Sequence, residues 1–161
     1  MSQKYCIVHF IDISKVPREF AYTDWPLHVT LLANFTISQS LEKLIEKLEL
    51  YAQETAPFEI MSDGESLFGP HQNVAVSLIR PSESIRKVHT DLMAITKALG
   101  AEYDEPKFMG EGFRPHATKQ ADSRLADQQI HVLKDFTFVD MYPDNNIERR
   151  KIIKTFELTD K

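Results

Sequence analysis

Short apolar runs rich in β-branched and aromatic residues alternate along this chain with longer stretches in which apolar residues return every three or four positions. Tyr5-Cys6-Ile7-Val8-His9-Phe10-Ile11 is of the first kind and predicts a buried strand. Residues 15–24, with Pro17, Phe20 and Tyr22, predict a loop that Trp25-Pro26 delivers into a strand over 28–33. Strand alternation there puts His28, Thr30 and Leu32 on one face and Val29, Leu31 and Ala33 on the other. A helix follows, capped by Ser38 or Ser40 and running to about Thr55, with Leu41, Leu44, Ile45, Leu48, Tyr51 and Ala52 as its apolar stripe and Pro57 past its end.

The pattern then predicts a short strand over 58–61, a turn at Ser62-Asp63-Gly64, a second turn at Phe68-Gly69-Pro70 and a strand over 73–79. The second helix is capped by Ser82 or Ser84, lined by Ile85, Val88, Leu92, Ile95 and Leu99, and ended by Gly100. A charged connection over 101–112 leads to a strand at His116 whose alternation, with Lys119 interrupting it, predicts an edge or partly exposed position. Strands over 132–142 and 150–158, joined by Pro143-Asp144-Asn145-Asn146, complete the chain. The elements form two similar sets, each with a few strands, one helix and one His-x-Thr strand, but in swapped order, so the sets predict pseudo-symmetry rather than a tandem repeat. Segregated helices and neighbouring strands predict an α+β fold with antiparallel sheets.

Composition narrows the function. A length of 161 residues fits one domain, residues 1–161, with a substantial core. A net charge of −5 argues against sequence-independent binding of long nucleic acid, yet leaves room for a small anion at a local cationic site. Lys107, Arg114 and Lys119 surround the second His-x-Thr strand, whereas Arg149, Arg150, Lys151 and Lys154 are expected to form a solvated face. Cys6 is the sole cysteine, which excludes an intrachain disulfide and a cysteine-rich zinc site and predicts a packing role. The N-terminal apolar run is too short to span a bilayer, and nothing directs the chain out of the cytoplasm, so a cytoplasmic protein with no membrane association and no obligate protein partner is expected.

The chemistry sits in the two strands. Residues two apart on a strand lie about 6 to 7 Å apart on one face, a distance one phosphate can span. An imidazole and a hydroxyl on each of two facing strands could therefore grip a phosphodiester from both sides, one neutral histidine taking a proton while the other, protonated, gives one. Composition supplies about 0.4 such tripeptides by chance, so the weight lies in context: both follow a proline closely and both open a strand.

With Leu27-His28-Val29-Thr30-Leu31, Phe113-Arg114-Pro115-His116-Ala117-Thr118 and this order of elements, the chain resembles the 2H phosphoesterase superfamily, which includes the LigT-like 2′-5′ RNA ligases and cyclic nucleotide phosphodiesterases. That resemblance implies a bilobal α+β fold, two pseudo-symmetric antiparallel lobes with helices outside and a central cleft. It also implies His28 and His116 as the acid/base pair, Thr30 and Thr118 as phosphate-binding hydroxyls, no cofactor, and a small nucleotide or RNA-end substrate. Many members follow the second threonine with an apolar residue and then an arginine. Here Lys119 and Gln120 follow and the next arginine is Arg124, which leaves RNA-ligase specificity open.

Around the motifs, Arg114 and Lys119 are candidate phosphate contacts, and Trp25, Phe113 and Tyr22 candidate stacking platforms for a base. Lys119 reads also as a solvated residue and the aromatics as core. His9, His71, His89 and His131 read as ordinary structural or surface histidines. Rival functions are a 2′-5′ ligase or an enzyme degrading cyclic oligonucleotides, a non-catalytic nucleotide-binding module, and a metallohydrolase using His28, His116 and Asp24, the last disfavoured by its sparse ligand spacing.

Overall fold

The computed structural model describes residues 3–120 and 123–160. Among them, ten strands form a single open, antiparallel sheet, and two helices complete an α+β architecture. The strands are β1 (Tyr5–Phe10), β2 (Glu19–Ala21), β3 (His28–Thr36), β4 (Phe58–Phe68), β5 (Val74–Ile79), β6 (Glu102–Tyr103), β7 (His116–Thr118), β8 (Ile130–Leu133), β9 (Asp135–Asp140) and β10 (Arg149–Glu157). Their spatial order is β2-β10-β9-β1-β3-β7-β5-β4-β8, with β6 paired to the end of β3. The two sets of elements are thus the two halves of one sheet, and they meet where β3 pairs with β7, the two His-x-Thr strands.

Both helices form where the periodicity places them. Ser40 caps α1 (Leu41–Gln53) by accepting from Lys43 N, and Ser82 caps α2 (Glu83–Lys97) by accepting from Ile85 N. Gly100, at φ +77°, follows α2 in the left-handed conformation that ends a helix. Leu44, Leu48 and Ala52 of α1 and Ile85, Val88 and Leu92 of α2 join Ile7, Val29, Leu31, Phe136 and Phe138 in the main core. Cys6 is buried among Val8, Phe10, Phe20, Val139 and Met141, a smaller core on the other face of the sheet.

Several local expectations are corrected. Residues 62–64 are not a turn: β4 continues through them as a bulge, where Asp63 and Gly64 face the single residue Leu78 between the pairs Ser62↔Ile79 and Glu65↔Ser77. Glycine suits a bulge for the same reason it suits a turn, since Gly64 has φ +88°. Space around Gly64 is open. Gly64→Ala is therefore expected to cost about 1 kcal/mol from backbone strain alone, measured by urea unfolding.

The run over 132–142 is two strands rather than one. The chain breaks at Lys134: β8 pairs with β4 at one end of the sheet and β9 runs between β1 and β10. No glycine or proline marks this corner. Its sign is a buried carboxylate, Asp135, whose Oδ1 lies 3.0 Å from His9 Nδ1. The predicted loop over 15–24 contains β2, an edge strand on β10. Finally, β7 is an interior strand between β3 and β5, not an edge: it is only three residues long, and the charge at Lys119 falls past its end.

Candidate functional site

The site is built on the junction of the two halves. Antiparallel pairing of Val29 with Ala117 places His28 opposite Thr118 and Thr30 opposite His116. Val29 and Ala117 point into the main core. The four polar residues therefore share the opposite face, with the two histidines diagonal to each other, about 8 Å apart at Cα.

Bulging of β3 shapes this face further. Its pairing with β1 slips from Val8↔Thr30 to Ile7↔Leu32 and then to Tyr5↔Phe35. Leu32, expected beside His28 and Thr30, is thereby turned into the core, and Ala33 and Asn34 line the cleft instead.

The two histidines are held alike. His28 Nδ1 lies 2.8 Å from Pro26 O, and His116 Nδ1 lies 2.8 Å from Arg114 O. A carbonyl only accepts, so each Nδ1 is the protonated nitrogen and each Nε2 is the one free to exchange a proton. This is the pseudo-symmetry of the two sets, expressed in a pair of side chains.

Their surroundings differ. His28 is packed against Trp25 (ring centroids 4.6 Å apart) and the edge of Phe10 (5.9 Å). Burial, reinforced by the nearby His116, pushes its pKa down to about 4, against the opposing Pro26 carbonyl. His116 meets the edge of Phe68 at 4.7 Å, and its pKa is lowered by burial and by the Arg114 charge, with the Arg114 carbonyl opposing.

Two adjoining cavities share Thr30, Ala33 and Glu105. One, of about 510 Å³, holds His28, Thr118, Trp25, Asn34 and Gln120. The other, of about 820 Å³, holds His116, Arg114, Lys107, Phe68 and Phe108. All four motif residues thus line one continuous depression. The guanidinium of Arg114 lies 4.7 Å above the Phe68 ring, a cation-π seat at the rim of the larger cavity.

The remaining candidates divide. Trp25 and Arg114 line the cleft. Phe113 borders the larger cavity but is 8% exposed and belongs to the core, its ring stacked on His89. Tyr22 is 52% exposed, outside both cavities, with the Arg150 guanidinium 6.0 Å from its ring. Lys119 is exposed, its backbone N–H donating to Ala75 O, and its side chain lines neither cavity. Asp24 is likewise outside them, and among the described residues no group of three or more histidines, cysteines and carboxylates is placed to hold a metal.

Sequence reasoning did not find Asn34, Phe68, Glu105 and Gln120. Gln120 alone left a sign, since alternation puts it on the face of His116 and Thr118; its Nε2 donates to Thr118 O at 3.1 Å. No helix among the described residues is long and apolar enough to cross a membrane.

A family model described as the 2′-5′ RNA ligase superfamily matches residues 11–141, a span that holds both motifs. The chain belongs to this superfamily. Curated protein sequences give no match. Solved structures share the fold at low identity. Escherichia coli LigT complexed with 3′-AMP is 16% identical over 99% of both chains, with a TM-score of 0.60. TT0787 of Thermus thermophilus is 18% identical over 96% of this chain and 97% of its own, with a TM-score of 0.59. A protein described as a phosphoesterase is 14% identical over 99% of both, with a TM-score of 0.61. As a 2H phosphoesterase of LigT-like fold, the chain is an enzyme of the phosphoesterase and ligase kind.

Proposed function

We propose that this 2H phosphoesterase is a metal-independent phosphodiesterase that opens 2′,3′-cyclic phosphates on a small nucleotide or an RNA end. The observation that carries the reading is the facing of His28-x-Thr30 and His116-x-Thr118, with both Nδ1 atoms tied to a carbonyl two residues back. The two Nε2 atoms and two hydroxyls are then left for one phosphate. LigT was solved with 3′-AMP and with phosphate, ligands of the same chemistry.

In this mechanism His28 is the base. Its half-buried, neutral imidazole removes a proton from water at Nε2 as the water oxygen attacks phosphorus. Phosphorus keeps its count of oxygens by releasing one ribose oxygen, which takes a proton from Nε2 of His116. The threonine hydroxyls donate to the non-bridging oxygens. His116 carries its proton in the complex because the phosphate anion beside it offsets the burial that lowers its pKa. The protons exchange with solvent to restore the starting state. Run backwards, the same steps join a hydroxyl to a cyclic phosphate.

The test is turnover by purified protein in chelator of 2′,3′-cyclic mononucleotides, RNA oligomers with cyclic ends, 2′-5′-linked dinucleotides and cyclic dinucleotides and trinucleotides. Opening of cyclic ends to one monoester isomer is expected. Tight nucleotide binding with no turnover at any pH from 5 to 8 would replace the enzyme by a binding module. Arg114, at the rim, contributes to holding the anion rather than to proton transfer. Arg114→Ala is expected to raise KM about tenfold while kcat changes less than about threefold.

A further inference from the structure

His89 of α2 is only 1% exposed, and both of its ring nitrogens are committed. Nδ1 lies 2.7 Å from Leu31 O, and Nε2 accepts from Gly110 N at 3.0 Å. One contact requires a proton on the ring and the other a lone pair. The imidazole is therefore neutral, with its proton on Nδ1. Its plane lies flat on Phe113, centroids 3.9 Å apart and 1° from parallel.

Each contact belongs to one motif. Leu31 follows Thr30 directly and is the extra residue where the β1 pairing slips from Val8↔Thr30 to Ile7↔Leu32, so its carbonyl turns to the helix. Gly110 and Phe113 lead into Arg114, whose carbonyl orients His116. One helical turn away, Arg86 holds the same segment, Nη1 donating to Gly110 O at 3.2 Å and Nη2 to Phe113 O at 3.4 Å. His89 also borders the larger cavity together with Thr30 and His116.

We propose that His89 is a positioning residue, which fixes Thr30 relative to His116 by bonding the bulge after the first motif to the loop before the second. A β-bulge and a single 3₁₀ turn, here Gly110–Gly112, each leave the local backbone free to shift by a fraction of an ångström. One rigid ring, bonded on both sides and stacked on a third residue, removes that freedom. The single β3–β7 register pair, Val29↔Ala117, is a short seam on which to align four reacting groups, and His89 ties it at its open end. Burial lowers the His89 pKa, with the Arg86 charge adding to it and the Leu31 carbonyl opposing, which keeps the neutral form that both bonds need.

The inference rests on the phosphodiesterase reading for its kinetic arm and on magnetic resonance for an independent one. His89→Phe keeps the stack and loses both bonds; His89→Asn keeps a donor near Leu31 O. In folded protein, His89→Phe is expected to lower kcat for a 2′,3′-cyclic nucleotide by 10- to 100-fold with KM moved less than about threefold, and His89→Asn to recover part of it. A folded His89→Phe variant with kcat within about threefold of the parent overturns the proposal. In the unsubstituted protein, ring ¹⁵N shifts should show His89 protonated at Nδ1 alone; a proton on Nε2 overturns it even where the variants do not fold. Should the parent turn over no cyclic phosphate, the functional reading falls by itself. The His28 and His116 ring resonances then decide: both displaced in His89→Phe supports positioning, and both unmoved refutes it.

Discussion

Replacing His28 by alanine is expected to lower kcat for 2′,3′-cyclic phosphate opening by about 10² to 10⁴, and replacing His116 to do the same. In the proposed mechanism the two histidines divide the labour across the β3–β7 seam. With His28 absent, water must attack without a base; with His116 absent, the ribose oxygen must leave as an alkoxide. The double variant should be little worse than either single one, because the two groups act in one concerted transfer. pH profiles separate the roles. His28→Ala should lose the acid limb of kcat/KM and His116→Ala the alkaline limb, since the base must be neutral and the acid protonated. Assays of purified variants in chelator, with folding checked by circular dichroism, decide the matter. Activity within tenfold of the parent in either variant would remove that histidine from the mechanism.

The sequence makes the shared face of each His-x-Thr pair legible because the relevant information is local. His-x-Thr on a strand fixes which side chains look the same way, and the two helices announce themselves through apolar spacing and serine caps at Ser40 and Ser82. What brings the motifs together is sheet order, which is not local. Nothing in residues 116–118 says that they lie between β3 and β5, and Lys119, the residue that suggests an edge, lies beyond the strand.

Bulges account for most of the rest. Two slips in β3 turn Leu32 inward and bring Ala33 and Asn34 to the cleft, and the apolar residues concerned are interchangeable in a pattern read by alternation. The same slip leaves Leu31 O for His89, which is why a histidine beside an apolar helix stripe reads as ordinary until the strand opposite is seen. Phe113 suggests a platform through its nearness to His116, but the His89 ring already occupies its face. Phe68 marks a turn in the sequence; only the fold sets its ring against His116 and under Arg114.

Acidification is expected to destabilise the protein well before its carboxylates protonate. Burial lowers the pKa of His28, His89, His116 and His131 below the ordinary value of 6.5, to about 4 for His28. In each case the unfolded chain binds the proton first. The stability contributed by these neutral imidazoles is therefore complete above pH 6.5 and is lost as pH falls from there towards the folded values. His28 alone should account for about 2 kcal/mol by pH 5, a figure that follows from the gap between 6.5 in the unfolded chain and about 4 in the folded one. Asp140 acts in the opposite sense, since burial raises its pKa and its protonation favours the fold, but at lower pH. Urea unfolding at intervals from pH 7.5 to 4.5 should show the midpoint falling steeply below 6.5. His28→Ala should flatten that fall, so that the variant compares better with the parent at pH 5 than at pH 7. A midpoint unchanged between pH 7 and 5 would show that the fold does not hold His28 as a desolvated, neutral imidazole. That result would also undercut its catalytic assignment, because the desolvation that makes His28 costly to protonate is what keeps its Nε2 bare for water.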